Sequence, residues 1–119
     1  MKPYQRFDAW KVSHELAAEV YRITCEWPKE ERYGLTSQVR RAALSAPTNL
    51  AEGSAKRGSR EFARFGDIAL GSLSELSYLL LFAEKVGVLR AEDHAALESL
   101  CNRAGQLTWK LTRALRRSA

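Results

Sequence analysis

The chain holds 119 residues, 45% of them hydrophobic and 28% charged, with 7 Gly and 3 Pro. A single domain of this size (1–119) buries roughly two-thirds of its unfolded surface. The apolar share excludes a disordered chain, and the Gly and Pro content excludes a collagen-like one. Nineteen basic residues, 13 of them Arg, oppose 14 acidic ones for a formal charge of +5, which fits either a polyanion-binding surface or basic and acidic segments that pair with each other.

Apolar runs such as Leu79–Ala83 fall short of the ~20 residues that cross a bilayer. Met1–Arg6 opens into no apolar leader. Cys25 and Cys101 form no metal or redox spacing and suit a reducing compartment. These features together predict a cytoplasmic protein without a membrane partner.

In chain order, the pattern is helical throughout. Asp8 is placed to cap the free N–H groups of a first turn, with Phe7 and Val12 spaced as a hydrophobic staple. Ala9, Leu16, Val20, Ile23 and Trp27 recur at helical spacing, widened by Ala17 and Tyr21. A first helix is predicted from Asp8 to about Trp27, stopped by Pro28. The polar segment Pro28–Gly34 reads as a loop. A second helix begins near Leu35–Ser37, with Thr36 and Ser37 as caps, and carries Leu35, Val39, Ala42, Ala43, Ala46 and Leu50. Pro47 removes a backbone donor and crowds the Ala43 carbonyl, at about 3 kcal/mol. Its neighbours Ser45, Ala46, Thr48 and Asn49 are small or polar, so a kink at Pro47 is predicted rather than a break. Residues Gly53–Ser59 read as a basic turn.

Ser59 is a good N-cap for a third helix running to about Val86, before Gly87. Its apolar residues, from Phe62 and Phe65 through Leu73, Leu76 and Leu80 to Val86, cover more than one stripe. Such a helix contacts neighbours on two or more sides. The small residues Gly66, Gly71 and Ser72 permit close backbone approach. A fourth helix spans about Ala91 to Arg117, with Glu92 and Asp93 at its positive end and Arg113, Arg116 and Arg117 at its negative end. Leu97, Leu100, Ala104, Leu107, Leu111 and Ala114 form its seam. The prediction is an all-α, antiparallel up-down four-helix bundle, with helix 2 kinked at Pro47.

Catalytic signatures are missing. A di-metal carboxylate bundle needs Glu-x-x-His motifs, and neither His14 nor His94 has a Glu three residues before it. His94 and Glu98, four apart, read as a solvated helix pair, and the two cysteines as small core residues. No phosphate-loop motif occurs, and Glu52 beside Gly53 lacks a catalytic partner. No enzyme activity, cofactor or metal is expected. Trp10, Trp27, Phe62, Phe65, Tyr78 and Phe82 fit core or interface positions before they fit a base-stacking platform.

The charge is unevenly spread. Residues 38–64 carry six basic and two acidic side chains, residues 65–102 two basic and six acidic, and residues 103–119 five basic and no acidic. Arg103, Lys110 and Arg117 are seven apart on one helical face, with Arg113 beside them. Lys56, Arg57, Arg60 and Arg64 sit at a turn and helix start, where free N–H groups add anion affinity. Arg40 and Arg41 either join that group or pair with acids of the first helix. The stripe on the fourth helix reads equally as a solvated face that complements the helix dipole or as a phosphate-tracking surface. A phosphate surface of this kind would be salt-sensitive and without base readout.

Two segments carry a family likeness: Tyr33-Gly34-Leu35-Thr36-Ser37-Gln38-Val39-Arg40-Arg41-Ala42-Ala43 followed by Ser45-Ala46-Pro47-Thr48-Asn49-Leu50-Ala51-Glu52-Gly53, and Glu61-Phe62-x-Arg64-Phe65-x-x-Ile68-Ala69-x-Gly71-Ser72-x-x-Glu75-Leu76. The sequence resembles, from Phe7 to Leu89, the four-helix bundle proteins encoded in intervening sequences of 23S ribosomal RNA genes. The accessory variability proteins of diversity-generating retroelements are similar to these. The resemblance implies a bacterial up-down bundle assembling into a homopentameric barrel with basic surfaces, nucleic-acid binding in the retroelement branch, and no catalytic residues. It also implies structural roles for Asn49 and Glu52 in satisfying groups that Pro47 frees. Gly66 departs from the bulky apolar residue more usual in the family, and Thr48 and Leu50 depart more mildly, so packing there is expected to differ.

The resulting expectation is a non-enzymatic oligomer that binds RNA or DNA backbone through Lys56, Arg57, Arg60, Arg64, Arg103, Lys110, Arg113 and Arg117. The rival is a scaffold docking a protein such as a reverse transcriptase or a ribosome-associated protein. The surplus apolar surface of helix 3 is the argument for self-association.

Overall fold

A computed structural model describes residues 1–119. Four helices dominate it: α1 (Asp8–Thr24), α2 (Leu35–Ser54), α3 (Ser59–Lys85) and α4 (Ala91–Ser118), with one-turn 3-10 segments at Pro3–Arg6 and Lys29–Glu31. Each helix packs on the next in sequence, and α4 closes the bundle against α1. The result is an antiparallel up-down bundle measuring 45 × 22 × 20 Å. The core runs along its axis through Leu16, Val20, Val39, Leu50, Leu76, Leu80 and Leu97.

The helix ends differ from expectation in instructive ways. Asp8 does not cap α1; it is the first helical residue after Phe7, and its carboxylate lies 3.8 Å from Lys11. Phe7 is not a staple for Val12 but packs edge-on against Phe62 of α3, 5.3 Å between centroids. α1 stops at Thr24, three residues before Trp27. There the Thr24 hydroxyl donates to the Val20 carbonyl at 2.7 Å, and Pro28 keeps the chain from continuing as a helix.

Thr36 and Ser37 cap nothing. α2 starts one residue earlier, and Glu31 Oε1 accepts the Leu35 N–H at 3.3 Å. Ser59 is likewise inside α3, preceded by Gly58 at φ 84°, a left-handed conformation that favours glycine. The far end of α3 closes as a Schellman motif: Val88 N–H donates to Ala83 and Gly87 N–H to Glu84, with Gly87 at φ 81°.

α2 continues unbroken through the buried Pro47. Asn49 plays a structural part, donating from Nδ2 to the Ser45 carbonyl (2.8 Å) and Oγ (3.0 Å). Ser45 Oγ in turn shares a 2.7 Å hydrogen bond with Ser72 Oγ, which fastens α2 to α3. Glu52 takes no part; it faces Lys56 at 4.0 Å.

Two glycines set how closely α3 sits to its neighbours. A Cβ on Gly53 would lie 2.7 Å from Phe65 Cβ, and one on Gly66 would lie 2.3 Å from Thr112 Oγ1. Gly71, by contrast, faces open space. The close approach at Gly66 explains the α4 seam, which differs from the one expected. Leu97, Cys101, Ala104, Thr108 and Thr112 are buried, whereas Leu100, Leu107 and Leu111 are half-buried and Ala114 is exposed. Small β-branched threonines replace leucines where the helices draw together.

α3 is long and apolar enough, by length and composition, to cross a membrane. Within the bundle its buried leucines face α2 and α4, while Ile68, Tyr78, Leu81, Phe82 and Val86 remain exposed.

Gly66→Ala should destabilise the protein by about 1 kcal/mol, because overpacking at Thr112 outweighs the gain in helix propensity. Thr112→Ala in the same chain should relieve that loss, as read by urea denaturation. Losses that simply add would place the two residues apart.

Candidate nucleic-acid interface

Antiparallel packing brings the start of α3 beside the end of α4. Gly66 meets Thr112, and the Arg116 guanidinium forms a two-pronged ion pair with Asp67 one position on. Lys56, Arg57, Arg60 and Arg64 from the α2–α3 turn therefore share one end of the bundle with Arg113, Arg116 and Arg117. The Phe7–Phe62 contact sets Lys2 and Arg6 at this end too. Carboxylates here are few: Asp8, Glu52, Glu61 and Asp67. The opposite end holds most of the others, including Glu26, Glu30, Glu84, Glu92 and Asp93, nearly balanced by Arg22, Lys29, Arg32, Lys85 and Arg90, so the net positive charge gathers at the α2–α3 turn.

The expected cations are not equal. Arg64 is held by Glu61, its Nη2 2.7 Å from Oε1, and the same bond keeps the Glu61 carboxyl below its ordinary range. It also stacks over Phe65. Lys56 is shared between Glu52 and the Phe65 ring. Arg116, outside the expected set, is committed to Asp67, whose hydrogen bond raises its basicity. Arg57, Arg60, Arg113 and Arg117 have no carboxylate within 4.0 Å, and Arg113 lies over the exposed Trp109 ring. A groove of about 360 Å³ runs between Asp67, Leu70, Trp109, Arg113, Arg116 and Arg117.

Arg103 does not join them. It is exposed on α4, 14 residues from Arg117 or about 21 Å along the helix. Lys110 lies between, on the wall of a second groove of about 650 Å³ with Ser74, Ser77 and Gly105. The two basic segments thus converge as a patch at one end, with Arg103 as an outlier on the side.

Arg40 and Arg41 neither join this patch nor pair with acids of α1. Arg40 Nε donates to Thr24 Oγ1 at 2.8 Å, and its guanidinium covers the Tyr21 ring at 4.5 Å, so it closes the end of α1. Arg41 reaches only Glu75, at 3.8 Å. Both border a cleft of about 970 Å³ between the end of α1 and α2 from Thr36 to Asn49. No motif announces this cleft; its one sequence signal is Tyr33, an aromatic in an otherwise polar loop.

His94 is not a solvated helix pair. It joins Glu84 of α3 to Glu98, 3.7 Å away on its own helix, and Glu98 accepts from Ser77 of α3 at 2.8 Å, so the cluster stitches α3 to α4. No group of three or more His, Cys, Asp or Glu side chains is arranged to hold a metal. The cysteines divide. Cys101 is buried, its Sγ donating to the Leu73 carbonyl at 3.4 Å, and burial together with Glu98 pushes its thiol up to about 12. Cys25, expected in the core, is exposed at the end of α1 beside Arg40.

Fold and basic end together define a class: a small four-helix bundle whose exposed chemistry is cationic, concentrated where four chain segments meet. The chain belongs to the 23S rRNA-intervening sequence protein family, whose model matches residues 5–110. That match runs past Leu89 and most of the way along α4, further than the segment on which the sequence resemblance rests. In structure the chain is similar to a protein of unknown function from the S23 ribosomal protein family of Bacteroides thetaiotaomicron. The TM-score is 0.78 at 17% identity, over 87% of this chain and 97% of that one, a likeness of fold. No curated protein sequence matches.

Maleimide should label one cysteine per folded chain, Cys25, with Cys101 reacting only after denaturant is added. Intact mass reads the count, and two labels in the native protein would contradict the burial of Cys101.

Proposed function

We propose that this protein is a non-enzymatic, cytoplasmic, self-associating bundle that binds RNA or DNA backbone through its basic end. The observation that carries the reading is the convergence of two cationic segments, distant in sequence, with Arg57, Arg60, Arg113 and Arg117 left without carboxylate partners. Guanidinium groups with no internal anion, gathered on one surface, suit phosphate oxygens. No strand or recognition helix is offered to a groove, so affinity comes from phosphate contacts and the release of counterions.

Self-association is supported by apolar side chains on two different flanks of α3. On the α2 side Ile68, Tyr78 and Phe82 are exposed, with Leu44 of α2; on the α4 side Leu81 is exposed, with Trp109 of α4. Tyr78 is 60% and Leu81 58% exposed, more than a stable monomer needs to leave in water. Two unlike flanks suit a heterologous contact, which builds a ring where its rotation closes, and not a two-fold dimer. The pentamer implied by the family likeness is such a ring.

Labelled duplex DNA and RNA should bind with an affinity that falls about a hundredfold between 50 and 200 mM salt, as about four neutralised phosphates require. Arg113→Glu with Arg117→Glu should weaken binding at least about tenfold with helicity unchanged. Absence of binding at 50 mM salt, in anisotropy measurements, overturns the reading and leaves the protein-docking scaffold. Native mass spectrometry should show a closed oligomer that Tyr78→Glu with Phe82→Glu converts to a folded monomer. A wild-type monomer at high micromolar concentration would refute self-association.

A further inference from the structure

The cleft of about 970 Å³ lies away from the basic end, between the last turn of α1, the Pro28–Gly34 segment and α2 from Thr36 to Asn49. Its lining contains four cations, Lys29, Arg32, Arg40 and Arg41, and no Asp or Glu. That composition is out of keeping with its surroundings, because Glu26, Glu30 and Glu31 lie in the same stretch of chain. Glu31 is turned to the Leu35 N–H, and Arg41 touches Glu75 loosely, while Lys29 and Arg32 have no carboxylate within 4.0 Å. The cleft lining is therefore cationic although acidic residues flank it in sequence.

Three further observations concern what would fit there. Thr36 is only 7% exposed, lines the cleft, and its Oγ1 has no hydrogen-bond partner. Buried hydroxyls normally find one, and an orphan is costly. Thr36 and Ser37 also begin a 20-residue helix, so their backbone N–H groups have no intrahelical acceptor. Free N–H groups at such a helix start favour an anion. Aromatic rings complete the lining: Trp27 is half-buried, and Tyr33 is 90% exposed, with neither face covered by a ring or cation of this chain. The lining spans Thr36 to Asn49, about 20 Å of α2.

We propose that this cleft binds unpaired nucleotides, with bases stacked on Tyr33 and Trp27 and phosphates held by Arg32, Lys29 and the start of α2. Cations alone would suit any anion. Aromatic rings and cations in one cleft, together with an unpaired hydroxyl in its lining, suit a planar base carrying a phosphate. The class of ligand rests on the nucleic-acid reading above, but the site shares no residue with the basic end.

The test uses the full chain and a fluorescein-labelled hexathymidylate at 50 mM salt. Tyr33→Ala with Arg32→Ala, both surface residues, should weaken hexamer binding about tenfold or more, while duplex DNA binding stays within about twofold. An abasic hexamer with the same phosphates should bind wild type about tenfold more weakly. Thr36→Val should raise the melting temperature, by removing an unpartnered hydroxyl, and yet weaken the hexamer. AMP displaces the hexamer if a free nucleotide is the source of this chemistry, and fails to do so if a strand is required; both agree with the proposal. Equal affinity for the abasic hexamer, unchanged binding by the cleft variant, or equal competition by oligoglutamate would overturn it. Loss of duplex binding on Arg113→Glu with Arg117→Glu, with hexamer binding retained, separates the cleft from the basic end.

Discussion

The closeness of α3 to both of its neighbours governs the rest of this molecule. Gly53 lets α2 settle against Phe65, and Gly66 lets α4 settle against α3 through Thr112. Both contacts sit at the same end of the bundle. They fix the lateral position of α3 between α2 and α4, and they bring the α2–α3 turn beside the last turns of α4. Antiparallel order already places the arginines of residues 57–64 and 113–117 at one end of the bundle, and the two glycines draw the helices that carry them closer together.

Helix number, order and type were legible because the apolar period and the Pro and Gly punctuation agree over long segments. Cap positions were not, since Asp8, Thr36, Ser37 and Ser59 all have the chemistry of caps while the chain places each one inside its helix. The α4 seam was legible in part: Leu97 and Ala104 are in the core and Leu100, Leu107 and Leu111 pack against it from the margin, but its centre line was not. Leucines at 100, 107 and 111 present the stronger pattern, but close approach at Gly66 favours the smaller Thr108 and Thr112 in the core. A single sequence cannot display that preference, because the glycine responsible lies on another helix.

The basic end was half legible. Its member residues can be read from charge runs, but their meeting depends on antiparallel packing, and their inequality depends on which carboxylates are within reach. Glu61 and Glu52 engage Arg64 and Lys56, whereas Asp67 engages an arginine outside the expected set. Arg103 shared the heptad spacing of Lys110 and Arg117, and the length of the helix carries it away from them. The α1–α2 cleft was barely legible, signalled only by Tyr33, because its cations come from a loop and a helix and its orphan hydroxyl is defined only by burial.

The charge gathered at one end also bears on the posture that the proposed function requires. A rod 45 Å long and about 20 Å across, positive at one tip, would meet a polyanion end-on, with its helices pointing at the phosphates and not lying along them. The footprint of one such tip is about 20 Å, or roughly six steps of a duplex strand at 3.4 Å each. Copies standing side by side would tile a longer stretch in register with the backbone, each adding its own small area of contact.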